Sequence, residues 1–421
     1  MIIEIGRSKH DSHPVVFNSA DVVNPHVMVV GTTGVGKTYT LRNIVSQIAR
    51  HNSARAHVFD SQGDLGINPA LQSAAKFSEV SLFGINPLEI DADVDFGGVR
   101  RSVARFLSML DRYSATRLGE RQQVVLRNLL YDLYAKHGYY YSKPESWIPN
   151  GKTPPTLMNL KTFVEEKRLA LSIGGNNASF KAIESLADKL YKLNENGEQL
   201  SPMDAEEIAE LKERYVDASR TFAESISTGR EIKELKRYSD ADLVQSVLNR
   251  IENLYHTGLF KNTPPMFAKT KPVWLYDIAS LGKNEAGYLV EIYLYKVFSR
   301  SRQAGISPYA AVRQIFCIDE AQRYISSESD HIINTAVREG RKYGLSLVFA
   351  SQNVDNFSKD IVSNCATKIL LGIDETDHAR VAKKFGLKVS QLKAIEPQHT
   401  ALVQIKTKGN RLSNDFVEVV L

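Results

Sequence analysis

The residues best suited to chemistry form one short run, Gly31-Thr-Thr-Gly-Val-Gly36-Lys37-Thr38. It fits the phosphate-loop spacing of two glycines five positions apart followed by Lys and Ser or Thr. Glycines let consecutive backbone N–H groups face one cavity, and a helix starting at the Lys adds positive potential there. The expected nucleotide contacts are Thr33, Gly34, Val35, Gly36, Lys37, Thr38 and Tyr39, with Lys37 reaching the β- and γ-phosphates and Thr38 ligating Mg²⁺. Chance produces such a match in roughly one or two chains per hundred of this length. Specificity therefore comes from the flanks, an apolar run at Val27–Val30 before the loop and helical spacing of Leu41, Ile44, Val45 and Ile48 after it.

Three further segments supply groups that a phosphoryl-transfer site needs. In QIFCIDEAQRY an apolar strand ends in Asp319-Glu320, where Asp319 would hold the Mg²⁺ shell and Glu320 would orient the attacking water. In AVREGRKYGLSLVFASQ a strand ends in Ser351-Gln352, and the Gln352 amide is placed to contact the γ-phosphate or the water. The helix before that strand carries Arg338, Arg341 and Lys342. These form either a solvated basic face at a helix C-terminus or, for Arg338 and Arg341, an arginine finger directed at a neighbouring subunit's ATP. In VFDSQGDLG, Asp60 and Asp64 end a strand expected beside the phosphate-loop strand, as a second carboxylate set or as a polar turn. Ten histidines lack metal-binding spacing, and His26 reads as structural.

The elements that position these groups alternate. Short strands are expected at Ile2–Ile5, Val15–Phe17, Ala56–Phe59 and around Glu79–Leu82. From about residue 97 helices follow at Val99–Leu110, Gln122–Lys136, Leu160–Ala170, Ser179–Leu193, Met203–Ser219 and Asp240–Tyr255, with the polar turn NENGEQLSP among them. Strands return at Val273–Tyr276, Gln314–Ile318, Leu345–Ala350, Thr367–Leu371, Ala401–Ile405 and Phe416–Leu421, with helices around Glu285–Arg300 and Ile332–Arg341. This pattern implies an α/β chain: a mostly parallel sheet built from residues 1–96 and 271–421, with a large helical insertion over 97–270. At 421 residues, 43% hydrophobic, 24% charged and net +5, the composition is that of an ordinary globular protein, basic enough for local phosphate-binding patches. Two cysteines exclude a disulfide framework and suit a reducing cytoplasm, and no signal peptide or apolar run of membrane-spanning length appears.

HVMVVGTTGVGKT, VFDSQGDLG, INPLEI, LGERQQVVLRNLLYDLY, WLYDIASL, IFCIDEAQRYI, REGRKYGLSLVFASQ and IVSNCATKILLGI together resemble the HerA-like ATPases of the FtsK/HerA superfamily, over about residues 26–405. The resemblance implies a RecA-like P-loop NTPase core that uses ATP and Mg²⁺, assembles as a homo-hexameric ring, and moves double-stranded DNA through a central pore as a translocase or helicase. It also implies a nuclease or other effector partner encoded nearby, in DNA processing or antiphage defence. Arg338 and Arg341 fall where that family places a trans-acting arginine, and Asp60 and Asp64 match its D-x-x-G-E stretch with Asp at the last position. Only about 25 residues precede the loop, so the family's N-terminal barrel is expected to be missing. The closing segment KGNRLSNDFVEVVL is expected to cover part of a neighbouring subunit. Two other functions share these motifs: a cytoplasmic ATPase of a conjugation or secretion machine, and a nucleotide-gated scaffold that activates a partner. Arg323 and Lys359 are candidate DNA contacts or plain solvated surface.

Overall fold

The computed structural model describes residues 1–421 except 52–53, 115, 174–181, 184, 192–201, 226–236, 239–240, 309–310, 327 and 410–414. Two compact units result, Met1–Ile85 with Lys261–Leu421, and Asn86–Phe260.

The first unit is built on an eleven-stranded sheet of described residues. In chain order the strands are β1 (Ile2–Ser8), β2 (Pro14–Asn18), β3 (Val27–Val30), β4 (Arg55–Asp60), β5 (Gln72–Lys76), β6 (Val273–Asp277), β7 (Gln314–Ile318), β8 (Leu345–Ser351), β9 (Thr367–Leu370), β10 (Thr400–Ile405) and β11 (Val417–Val420). Their order across the sheet is β2-β1-β11-β10-β9-β3-β8-β7-β4-β6-β5. The pairs from β9 through β5 are all parallel, whereas β10, β11, β1 and β2 add an antiparallel flank. Parallel strands share one carboxyl edge, so the loops leaving β3, β4, β7 and β8 all open on the same side.

Alternation along the strands separates two faces. On one, Val27, Val29, Val58, Ile315, Cys317 and Val348 pack with Leu41, Ile44, Val45 and Ile48 of the helix Lys37–His51. On the other, Phe59 stacks on Tyr276 at 4.4 Å and Phe316 at 4.7 Å, with Tyr293 from the helix Lys283–Gln303 at 5.9 Å. Buried Val, Ile and Phe are the residues that fit a sheet covered on both sides.

Two sequence expectations fail here. The strand expected around Glu79–Leu82 is a loop, with Val80 and Leu82 86% and 90% exposed; the strand is instead QSAAK, Gln72–Lys76, pairing β6 at the sheet edge. Alternating apolar residues misled because an edge strand has little apolar surface to cover. The strand carrying Asp60 is also not beside β3: β8 and β7 lie between them, and β3 is flanked by β8 and β9. The last strand, β11, is paired on both sides within its own chain, to β10 and β1, and residues 410–414 of the closing segment lie outside the described residues.

The second unit is helical: Gly98–Tyr113, Glu120–Lys136, Leu157–Ile173, Pro202–Ser225 and Ala241–His256. Phe106, Leu110, Leu126, Leu130, Val247 and Ile251 are among its buried side chains. Residues 179–181, 184 and 192–193 of the expected helix Ser179–Leu193 and most of the turn NENGEQLSP lie outside the described residues, and the described part of that helix is helical. No helix among the described residues is long and apolar enough to cross a membrane. Cys317 and Cys365 are both buried free thiols.

His26, fully buried before β3, is structural in the way its position suggested. Its Nδ1 accepts from Leu347 N at 3.0 Å, which fixes the tautomer so that Nε2–H donates to Val337 O at 3.0 Å. Burial lowers its pKa to about 4, and lowers that of buried His57 to about 3. Both stay neutral in the folded chain and protonate near 6.5 when unfolded, so stability is complete above pH 6.5 and falls as the pH drops toward 4. The expected slope is about 1.4 kcal/mol per pH unit for each histidine. Denaturant titrations at pH 7, 6 and 5 check this. His26→Ala should flatten the slope and cost about 2–3 kcal/mol at pH 7 by orphaning the Leu347 N–H.

Candidate functional site

After β3 the chain turns through residues 31–36 into the helix Lys37–His51. The turn uses positive φ at Gly34 (+82°) and Gly36 (+100°), a conformation that costs glycine no Cβ clash. A cavity of about 590 Å³ opens beside it, lined by Thr33, Gly34, Gly36, Lys37, Thr38 and Tyr39 from this segment. Val35 is buried beneath the loop and does not line the cavity. Gln62 and Asp64 after β4, Asp319 and Glu320 after β7, and Gln398, His399 and Leu421 complete the wall.

Lys37 is buried, and its Nζ donates to Thr32 O at 2.7 Å. Burial lowers its pKa, opposed by the charges of Glu320 and Asp319. Glu320 is 3% exposed and sits at φ +50°, a left-handed conformation that a non-glycine residue holds only under constraint. The constraint is visible. Its carboxylate accepts from Gln352 Nε2 at 3.1 and 3.0 Å, from Gln62 Nε2 at 3.0 Å, and from Gln322 Nε2. Gln352 therefore clamps Glu320, a contact that strand-end position alone did not reveal.

Asp319 lies 2% exposed at the end of β7, and its Oδ2 has no hydrogen-bond partner among the described residues. Burial, then the charges of Glu320, Asp60 and Asp64, push its carboxyl up to about 7. Asp60 is committed to its own loop: Oδ1 accepts from Gln62, Gly63 and Asp64 N at 3.1, 2.7 and 3.3 Å, and Oδ2 from Leu65 N at 2.9 Å. These bonds build the polar turn, while Asp64 faces the cavity. Carboxylate oxygens of Asp60, Asp64 and Asp319 lie within 4.8 Å of one another. An unpartnered buried carboxylate oxygen, with Thr38 lining the same cavity, is a donor set of hard oxygens that fits Mg²⁺.

The two arginines lie elsewhere. Arg338, on the helix Ile332–Glu339, donates to Asp360 Oδ2 and to Ser329 O, each at 2.8 Å. Arg341 lies in the turn Gly340–Tyr343 that enters the amino end of β8, the sheet edge opposite the phosphate loop. Its guanidinium makes no hydrogen bond or ion pair among the described residues. Neither arginine lines its own chain's cavity. Arg323 and Lys359 are exposed. Sequence reasoning missed Gln62, Gln398, His399 and Leu421. Gln62 was visible within VFDSQGDLG, whereas the others are brought in from more than 350 residues away by the antiparallel flank.

The raised pKa of Asp319 has a sign opposite to that of the histidines. The folded chain binds this proton more tightly than the unfolded chain, so stability of the nucleotide-free protein declines as pH rises from about 4 through 7. Asp319→Asn should raise the nucleotide-free Tm at pH 8 by a few degrees and abolish the Mg²⁺-dependent part of nucleotide binding. Scanning calorimetry at pH 8 with and without Mg²⁺ and nucleotide checks both.

The family model described as "Helicase HerA, central domain" matches residues 3–297, a span containing the phosphate loop and the Asp60–Asp64 turn. The DNA double-strand break repair helicase HerA of Sulfolobus acidocaldarius is 24% identical over 273 residues, covering 61% of this chain and 51% of that protein. The chain thus spans about half the length of the curated relative it matches. Among solved structures, VirB4 of Thermoanaerobacter pseudethanolicus superposes with a TM-score of 0.65 at 13% identity, covering 100% of this chain and 95% of that one. The bacterial conjugative coupling protein TrwB gives 0.53 at 14% identity, covering 100% and 94%. At such identities these two speak to the fold, which is the RecA-like sheet of P-loop ATPases. The family model spans more than half of the sequence, and the chain belongs to the HerA central-domain family.

Proposed function

We propose that this chain is an ATP-hydrolysing, ring-forming DNA translocase or helicase of the cytoplasm, working with a nuclease or other effector in DNA processing or antiphage defence. The observation that carries the catalytic part is Glu320, held by three amides in the same cavity as Lys37 and Asp319.

Phosphoryl transfer to water needs a positioned nucleophile and neutralised charge more than it needs covalent chemistry. Glu320 is the group that orients the water and receives its proton as the γ-phosphorus–oxygen bond to ADP breaks. Gln62 and Gln352 keep the carboxylate aimed and leave it little rotational freedom. Lys37 neutralises the oxygens between the β- and γ-phosphates, after exchanging its contact with Thr32 O for the nucleotide. Mg²⁺, held by Thr38 and Asp319, would supply charge neutralisation on the same phosphates. Among the described residues Lys37 is the one Lys or Arg that lines the cavity, and an arginine finger from Arg341 of an adjacent subunit is the group proposed to supply further positive charge. This requirement, with the family's membership, supports the homo-hexamer and double-stranded DNA in its pore.

A cytoplasmic ATPase of a conjugation or secretion machine is the second reading; the whole-chain fold match to VirB4 is the observation on its side. Purification in a membrane-associated complex, with ATPase activity indifferent to DNA, would decide for it.

Glu320→Gln should lower turnover by at least about 100-fold while nucleotide binding persists, and Lys37→Ala should abolish binding. Arg341→Ala should bind ATP yet turn over slowly, and mixing it with Lys37→Ala subunits should restore activity in the mixed assembly. Steady-state ATPase assays and native mass measurements check these. ATPase stimulated by double-stranded DNA in a six-subunit assembly, falling steeply with salt, is the expected signature; a monomer under all conditions would sink it.

A further inference from the structure

Gln398 carries a cost that its surroundings do not explain. It is exposed, yet its backbone holds φ +68°, a left-handed conformation that a glutamine rarely adopts. Its two donors make one consistent choice. The backbone N–H donates to Val35 O at 3.2 Å, and Nε2 donates to Gly34 O at 2.8 Å. Both acceptors are consecutive carbonyls of the phosphate loop.

A trans peptide plane points its carbonyl and the following N–H in opposite directions. Holding Gly34 O and Val35 O toward Gln398 therefore turns the N–H groups of Val35 and Gly36 the other way. The neighbouring planes are fixed similarly: Thr40 N and Oγ1 hold Gly36 O at 2.9 and 3.0 Å, and Lys37 Nζ holds Thr32 O. Thr40 lies on the helix that follows the loop, and Lys37 must leave Thr32 to meet a phosphate. Among the described residues, Gln398 is the one that hydrogen-bonds the carbonyls at the middle of the loop from another part of the fold.

Its own position is set by the antiparallel flank. Glu396 N donates to Thr400 Oγ1 at 2.8 Å, Thr400 N to Glu396 O at 2.9 Å, and Leu421 N to His399 O at 2.9 Å. Lys9 approaches Glu396 at 3.7 Å from the β1–β2 turn. The turn is thereby tied to β10, β11 and β1, strands outside the parallel core.

We infer that Gln398 is a positioning residue for nucleotide binding: it fixes the peptide planes of Gly34 and Val35 so that the loop's N–H groups meet the phosphates already oriented. The inference rests on the nucleotide reading of the cavity. Pre-orientation acts on binding and not on the hydrolytic step, which Glu320 serves, so its signature is a change in affinity at constant kcat.

The test compares full-length wild type with Gln398→Ala and Gln398→Gly, using N-methylanthraniloyl-ATP with Mg²⁺ as the probe, alongside ATPase kinetics and the nucleotide-free Tm. Both variants keep the backbone N–H and lose the amide, and Gln398→Gly also relieves the left-handed strain. Kd and KM should rise about five- to tenfold in both, the loss of one hydrogen bond's worth of orientation, with kcat within twofold. Gln398→Gly should melt at or above the wild-type temperature while binding less tightly, a pairing that a merely structural residue would not give. A Kd within twofold of wild type, or a Tm loss that tracks the Kd rise in both variants, overturns the inference while wild-type binding stands. A wild type that fails to bind the probe overturns the nucleotide reading and this inference with it.

Discussion

Buried charge at the carboxyl edge of β3 and β7 is the constraint on which the rest of the structure depends. Lys37, Asp319 and Glu320 are each more than nine-tenths removed from solvent, and Asp64 faces the same space. Removing a carboxylate from water is expensive unless it is hydrogen-bonded or paired. The chain meets that cost unevenly. Glu320 receives amide donors from three segments, whereas Asp319 keeps one oxygen bare and relieves its position by holding a proton to about pH 7. Three carboxylates and one lysine share the space beside the glycine loop, a distribution whose hard oxygen donors fit a divalent cation.

The parallel sheet is what makes such a concentration possible. Strands that share direction deliver their following loops to one edge, whatever their order across the sheet. The strand with Asp60 is separated from β3 by two others, yet the loop after it places Gln62 against Glu320. Asp60 contributes by giving both carboxylate oxygens to four backbone N–H groups, which fixes the loop that carries Gln62 and Asp64. The antiparallel flank works from the other side and returns residues 396–399 to the phosphate loop. The sheet core and the acid cluster also respond oppositely to acid. Neutral buried histidines favour higher pH, while the raised Asp319 favours lower pH, so a bound cation that discharges Asp319 removes the conflict.

What could be read in advance follows the physics of each signal. Strands β3, β7 and β8 sit in the middle of the sheet, so near-continuous apolar runs announced them, and strand ends with Asp-Glu or Ser-Gln located the acids. Edge strand β5 reads QSAAK and buries little, so nothing in its hydrophobicity distinguishes it from the exposed loop containing Val80 and Leu82. Strand order was illegible for a different reason: periodicity reports which face is buried and carries no record of which neighbour is paired. Gln398 lies outside both kinds of signal. Its importance arises from a left-handed turn and two carbonyl contacts that only the folded chain brings together, and a glutamine on a loop carries no mark of either.

The placement of the arginines constrains any assembly. The cavity opens at the carboxyl edge of the parallel strands, and Arg341 sits at the amino edge entering β8. For Arg341 to approach another chain's phosphates, the amino edge of one subunit must meet the carboxyl edge of the next. A two-fold axis can do this reciprocally, because residue i then meets j while j meets i, and a heterologous contact can do it at every site once the rotation between neighbours closes. A turnover that depended on that arginine would therefore be lost in an isolated subunit and restored by either arrangement, so turnover alone does not separate a reciprocal pair from a ring; the subunit count does.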